Sequence, residues 1–415
     1  MTPSRRAVLS AGATALAVPA KAADPSALAR DEAHWARVAA LYDIPPPGVI
    51  QLENGQFGAM TRAVRAIYEQ KLAKVNRETS LYTRRAALGE VQAVRAKAAA
   101  FLGVGVDEIA FTRGGTESML VLIAGYNRLK PGDALLYADL DYDSMQVGMD
   151  SLARLRGVRV VKFDLPEPAT KQALIDAYDR ALKANPDVRM MLLTHLSHRT
   201  GLIPPVKEIT ALAKSRGVDV LLDCGHALGQ TEFSLREMGV EFAGLNLHKW
   251  IGSPLGVGLV YIRKDRIPDI EVSILEGPSD RIEARAHLGT VSYASVLTVS
   301  DALDAHAAVG PAAKARRLLF LRDRWAETLR DHPRVQVLTP PDPTLHAGMT
   351  SFRIAGQTTL AQAQALKTLL LDRHRIFTIE RGGVAKGACI RVSPSFVNSA
   401  DQMDALVAAL KVIAS

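Results

Sequence analysis

Val218-Asp219-Val220-Leu221-Leu222-Asp223-Cys224-Gly225-His226 is an apolar run that ends in a carboxylate and a small-residue turn. It is apolar without alternation from Val220 to Leu222, the pattern of a strand buried on both faces. Working outward, similar short runs stand at Ile109-Ala110-Phe111, 134–137, 158–163, 190–194 and 257–262. Segments with helical spacing lie between most of them, at 115–129, 144–155, 170–184 and 205–216. Strands alternating with helices predict an α/β fold: a mostly parallel sheet covered by helices on both faces. Right-handed crossovers would then gather ligand sites at the carboxyl ends of the strands. Helical spacing also marks 24–43, stopped by Ile44-Pro45-Pro46-Pro47-Gly48, and 60–75 and 86–102. From about 300 the pattern changes. A long helix over 301–331 leads to strand candidates at 335–338, 350–354, 377–380 and 389–392, with helices at 358–373 and 399–414. The expected organisation is an N-terminal segment to residue 22, a helical segment over 23–50, a large domain over 51–298 and a smaller α+β domain over 299–415.

Lys249 follows Asp223 by 26 positions, in His248-Lys249-Trp250, and Gly252 and Gly256-Val257-Gly258 come next. An acid at a strand end and a lysine in a glycine-rich turn suit pyridoxal 5'-phosphate. The lysine amine anchors the aldehyde, and the acid pairs with the ring nitrogen and keeps it protonated. Phe111-Thr112-Arg113-Gly114-Gly115-Thr116-Glu117 joins a strand to a helix. Its glycines let backbone N–H groups approach an anion at a helix N-terminus, and Thr116 adds a hydroxyl.

The stretches LLDCGHALGQ and FAGLNLHKWIGSPLGVGLVYIRKD resemble the class V aminotransferase family of fold-type I pyridoxal-phosphate enzymes. The isopenicillin N epimerase-like branch is the more similar one, and cysteine desulfurases are more distant. The resemblance spans residues 50–415 and implies a large domain with a mostly parallel sheet plus a smaller C-terminal domain. It implies Lys249 and Asp223 as catalytic residues and Gly114, Gly115 and Thr116 as the phosphate cradle. Tyr142 is implied over the cofactor ring, where desulfurases use histidine. His198, standing where the family often has asparagine, and His226 are implied beside the phenolic oxygen. His248 is implied at the phosphate. Gly289-Thr290 is implied to reach the phosphate across a dimer interface, hence a homodimer. Leu52-Glu53-Asn54-Gly55 resembles the family's L-N-x-G, which implies Asn54 and Gly55 on the substrate side. Arg391 matches the arginine that binds a substrate α-carboxylate, for which a planar guanidinium supplies the bidentate geometry. Tyr82, Arg84 and Arg85 suit either a neighbour's site or a solvated helix face.

The implied chemistry is proton removal at Cα of an amino acid or amine-bearing precursor, with Lys249 as base. Epimerisation, transamination and elimination all stay open, as does a tailoring step on a siderophore or peptide precursor. A non-catalytic exported binding protein is the alternative of another class. Desulfurases carry a nucleophilic cysteine on the loop before the small-domain arginine, and residues 381–387 contain none. A nicotinamide reading fails on context, because Leu102-Gly103-Val104-Gly105 precedes a strand instead of following one.

Composition closes other routes. The chain of 415 residues has 5% aromatic residues and a net charge of +8, three of those charges lying in residues 1–22, so no basic, aromatic-laced surface for nucleic acid is expected. Two cysteines make neither a disulfide scaffold nor a four-ligand zinc site, and His195-x-x-His198 alone is a poor metal pair. No apolar stretch reaches the ~20 residues of a membrane span. Arg5-Arg6 before a weakly apolar run ending in Ala20-Lys21-Ala22 resembles a twin-arginine export signal. It predicts passage through the twin-arginine translocase and a periplasmic location.

Overall fold

The computed structural model describes residues 24–43, 48–287 and 289–415. The export-signal reading of residues 1–22 and the Ile44–Pro47 helix stop lie outside the described residues. Near the N-terminus, α1 (Pro25–Leu28) and α2 (Glu32–Ala39) replace the single helix expected over 24–43. Asp31 is the reason: its carboxylate accepts from the His34 backbone N–H at 2.9 Å and caps a new helix. Strand β1 (Ile50–Gln51) follows, then the long helices α3 (Arg62–Tyr82) and α4 (Leu88–Leu102).

The central sheet is then laid down with its helices: β2 (Ile109–Thr112), α5 (Gly115–Gly125), β3 (Ala134–Ala138), α6 (Asp143–Arg156), β4 (Arg159–Phe163), α7 (Lys171–Ala184), β5 (Val188–Thr194), α8 (Val206–Lys214), β6 (Asp219–Asp223), β7 (Phe242–Asn246) and β8 (Gly258–Ile262). Its seven strands run in the order β2-β8-β7-β6-β5-β3-β4. β8 is antiparallel to both neighbours, and the other pairings are parallel. The fold is the α/β fold-type I architecture, and its two sheet faces each bury an apolar layer. β7 was not anticipated. Gly244 interrupts its apolar run, and that glycine is demanded by packing: a Cβ there would stand 2.8 Å from Met119 Cγ and Sδ on α5.

Beyond the sheet come α9 (Tyr293–Val309) and α10 (Pro311–Ala326), where one long helix was expected. Gly310, at φ 88°, and Pro311 at the next helix's first position break it. The remaining elements are β9 (Val335–Val337), β10 (Thr350–Ile354), α11 (Leu360–His374), β11 (Ile376–Phe377), β12 (Ile379–Arg381), β13 (Cys389–Val392) and α12 (Ala400–Ile413). An antiparallel sheet runs β12-β13-β10-β9, and β1 pairs with β11. That last pairing carries residues 50–55 onto the C-terminal sheet, where Glu53 bridges Ser393.

β8 lies so close to the glycine turn that a Cβ on Gly258 would meet Gly114 Cα and carbonyl carbon at 2.6 Å. Both contacts are backbone, so neither yields by rotamer change. Gly258→Ala is expected to cost about 1–3 kcal/mol and to loosen cofactor retention. Thermal melting together with cofactor content after dialysis checks both. Gly89→Ala, on α4 with open space around it, serves as control and should not lower the melting temperature.

Candidate active site

The parallel strands β2, β3, β5, β6 and β7 end on one edge of the sheet and open onto a cleft of about 750 Å³. Gly114, Gly115, Thr116, Tyr142, His198, Asp223, His226, His248 and Lys249 all line it, as do Gly55 and Arg391.

Asp223 ends β6 and accepts from the Gly225 backbone N–H at 2.8 Å. Burial pushes its carboxyl above the usual range, against that hydrogen bond and the Lys249 charge. Three residues on, the turn projects His226 so that its Nε2 lies 3.0 Å from Lys249 Nζ. Burial holds the His226 imidazole well below its ordinary pKa, so it is neutral at pH 7. Its Nδ1 is buried without a hydrogen-bond partner. Burial also lowers Lys249 to about 8, with Asp223 opposing. An amine near that value is partly free at neutral pH and serves as a base. Behind Asp223 lies a second buried carboxylate that sequence reasoning missed. Asp141 accepts from Thr194 N and Oγ1 and from Ala138 N, each at 2.8 Å, and burial raises it to about 7.

The anion end is built on the first turn of α5. Asn246, at the end of β7, accepts from the Gly115 N–H at 2.6 Å and fixes that turn to the sheet. A Cβ on Gly114 would meet His248 Cε1 at 3.1 Å, so the imidazole lies directly against the glycine. His248 Nδ1 donates to the Val257 carbonyl at 3.0 Å, which sets the ring. Glu117 in the same turn would repel an anion, but Arg113 binds it through its backbone N–H at 2.6 Å and Nε at 2.9 Å.

On the opposite wall, Arg391 is almost fully buried and already paired. Its Nη2 donates to Glu53 Oε1 at 2.5 Å and its Nη1 to the His198 carbonyl at 2.8 Å. A Cβ on Gly55 would stand 2.5 Å from Arg391 Nη2, so the glycine leaves room for the guanidinium. Asn54 faces elsewhere: its Nδ2 donates to the Gln51 and Ser393 carbonyls at 3.2 and 3.0 Å, and it lines a small neighbouring cavity. Tyr142 and His198 meet edge to face, ring centroids 4.9 Å apart. Burial keeps His198 well below its usual pKa, and neither ring nitrogen has a hydrogen-bond partner. Thr290 is exposed and does not line the cleft of its own chain. Arg84 and Arg85 are exposed as well. Glu53 and Arg381 line the cleft and were not singled out from sequence. Glu53 takes the place of the asparagine in L-N-x-G, which was the available signal.

His195 points away from His198, its Nδ1 lying 3.8 Å from Cys224 Sγ. Among the described residues no group of three or more His, Cys, Asp and Glu is placed for a metal. Both cysteines are buried and free.

The cleft fits pyridoxal phosphate. A cradle that a Cβ would fill meets a helix N-terminus, a carboxylate stands at a strand end, and His226, its Nδ1 orphaned, sets Nε2 beside a lysine of lowered pKa. Gly114, Gly115, Thr116 and His248 would hold the phosphate, Asp223 the ring nitrogen, and Lys249 the aldehyde carbon. The family model for Aminotransferase class-V matches residues 57–406. Isopenicillin N epimerase from Streptomyces clavuligerus is 29% identical over 313 residues, 70% of this chain and 77% of that one. A cysteine desulfurase from Serratia proteamaculans is 26% identical over 352 residues, 78% and 82% of the two chains. Among solved structures, cysteine desulfurase CsdA from Escherichia coli superimposes with a TM-score of 0.75 at 21% identity, over 91% of this chain and 98% of that one. A C-DES variant with glycine covalently linked to the PLP cofactor gives 0.74 at 19% identity, over 88% and 96%. The chain therefore belongs to the class V aminotransferase family, and its cofactor is pyridoxal phosphate.

Proposed function

We propose that this chain removes and returns a proton at Cα of an amino acid or amine-bearing precursor, the chemistry of an epimerase or aminotransferase, with Lys249 as the base. The observation that carries the reading is the pair of Lys249, lowered to about 8, and neutral His226 at 3.0 Å, above Asp223. Pyridoxal phosphate, when bound, supplies the electron sink for the carbanion at Cα. Asp223 keeps the ring nitrogen protonated, and Lys249 carries the proton. Two further readings accompany this one. Gly289-Thr290 is exposed and outside the cleft, which suits completion of the site by a second copy in a homodimer. Arg5-Arg6 and Ala20-Lys21-Ala22 support twin-arginine export to the periplasm.

A cysteine-borne sulfur relay finds no support. Cys224 is wholly buried and Cys389 is 2% exposed, on β13 beneath the cleft wall. Elimination from a β-substituted amino acid needs no such thiol and stays an outcome of the test.

The test is incubation of the holoenzyme with D- and L-amino acids in heavy water, read by mass spectrometry and chiral chromatography. The expected result is Cα deuteration. With the amine retained and the stereocentre scrambled it marks epimerisation. Amine loss that depends on added keto acid marks transamination, and loss without it marks elimination. Absence of exchange with every amino acid and amine-bearing peptide tried overturns the proposal.

A further inference from the structure

We infer that Glu53 and Arg381 decide how the cleft receives a carboxylate: Glu53 is a built-in anion that occupies Arg391, and Arg381 is the guanidinium left to bind the substrate. This rests on the proposal that the substrate is a carboxylate-bearing amino acid.

Arg391 already holds an anion. One terminal nitrogen donates to Glu53 Oε1 at 2.5 Å and the other to the His198 carbonyl at 2.8 Å. Glu53 is itself fixed from its other oxygen, which accepts from Ser393 Oγ at 3.1 Å. Arg391 and Glu53 are 1% and 8% exposed, so the pair is shielded from water. A lone guanidinium at that depth would be costly, and Glu53 offsets the charge. A substrate carboxylate aimed at Arg391 must displace an intramolecular partner that pays no entropy of association.

Arg381 is more open and stands further from Glu53. It lies on β12, which pairs antiparallel with β13 so that Ile379 stands opposite Arg391. Two residues further along the strand, Arg381 projects from the same face of the sheet as Arg391. It lines the cleft, its side chain is 27% exposed, and its nearest acid is Glu53, 3.9 Å from Nη2. Its Nε is buried with no partner, as is that of Arg391. Two guanidiniums and one carboxylate thus leave a single positive charge on this wall, enough for one substrate carboxylate and located at Arg381.

The test uses propionate, a carboxylate with no amine, titrated into the holoenzyme by calorimetry. The wild type should bind it. Arg381→Gln should raise the Kd at least about 10-fold, with Arg381→Lys recovering part of the loss. Arg391→Lys, which keeps the charge beside Glu53, should change it less than about 3-fold. Glu53→Gln should tighten binding about 10-fold, because Arg391 is released. An unchanged Kd in Arg381→Gln overturns the inference. So does weaker binding in Glu53→Gln, or no binding by either the wild type or Glu53→Gln. Should Glu53→Gln fail to fold, the Arg381 and Arg391 variants decide alone. Propionate has no reactive amine, so its binding is independent of the Cα reaction. Propionate binding as expected with no deuterium exchange would sink the proposed function and leave this assignment standing.

Discussion

Lys249→Ala lowers Cα exchange by at least about 10³-fold and abolishes covalent retention of pyridoxal phosphate. The residue combines two roles that no neighbour can assume. Its amine is the one in the cleft with a pKa brought down to about 8, so it both links to an aldehyde and accepts a proton near neutrality. His226, 3.0 Å away, is a neutral imidazole whose pKa burial holds far too low for it to take the proton over. Lys249→Arg should be equally inactive, because a guanidinium keeps its charge but stays protonated. Deuterium incorporation and cofactor absorbance after gel filtration report the two losses separately. Partial recovery of exchange by added ethylamine would mark the missing group as a base. Retention of more than a tenth of the wild-type exchange rate in Lys249→Ala would remove the lysine from the chemistry. No exchange in the wild type, with a phenotype that persists in Lys249→Ala, would favour the binding-protein alternative.

The second large effect is expected at Asp223. Asp223→Asn should reduce exchange by about 10²–10³-fold while the protein still folds and still binds the cofactor. The amide is nearly isosteric and can accept the Gly225 N–H as the carboxylate does at 2.8 Å. It cannot, however, keep a ring nitrogen protonated, so the electron sink weakens and the anchoring does not. The contrast is diagnostic: Lys249→Ala loses covalent cofactor and activity together, whereas Asp223→Asn loses activity alone. Cofactor occupancy and exchange rate measured on the same preparation separate the cases. Equal loss of occupancy in both variants would reduce Asp223 to a structural acid. The nearby Asp141 does not replace it, since its carboxyl is consumed by Ala138 and Thr194.

Most of the cleft lining could be read before folding because its signals are local. Asp223 is marked by the uninterrupted run that precedes it, and Lys249 by the glycines that follow. The Gly114-Gly115 turn is marked by its place between a strand and a helix. What escaped depends on partners distant in sequence. Glu53 meets Arg391 across 338 positions, and neither periodicity nor charge counting announces that pairing. Reading residues 52–58 through the L-N-x-G pattern drew attention to Asn54, whose amide instead ties two backbone segments together. Asn246 was hidden because β7 was hidden, and β7 was hidden by Gly244, whose missing side chain Met119 requires. Helix lengths failed for a simpler reason. Asp31 and Gly310-Pro311 are a cap and a break that the apolar spacing runs across, so the two helices on either side read as one.

Whether Lys249 is the residue that holds the cofactor is decided by trapping the covalent link with borohydride in the intact holoenzyme, digesting the protein, and locating the added mass. The chain offers a rival in Lys314, buried beside His306 and donating to the Trp250 carbonyl, which burial lowers to about 7. The mass of reduced pyridoxyl phosphate on the peptide containing Lys249, and no other, is the predicted result. The same mass on Lys314 or on a surface lysine, with Lys249 unmodified, would take the cofactor link away from Lys249.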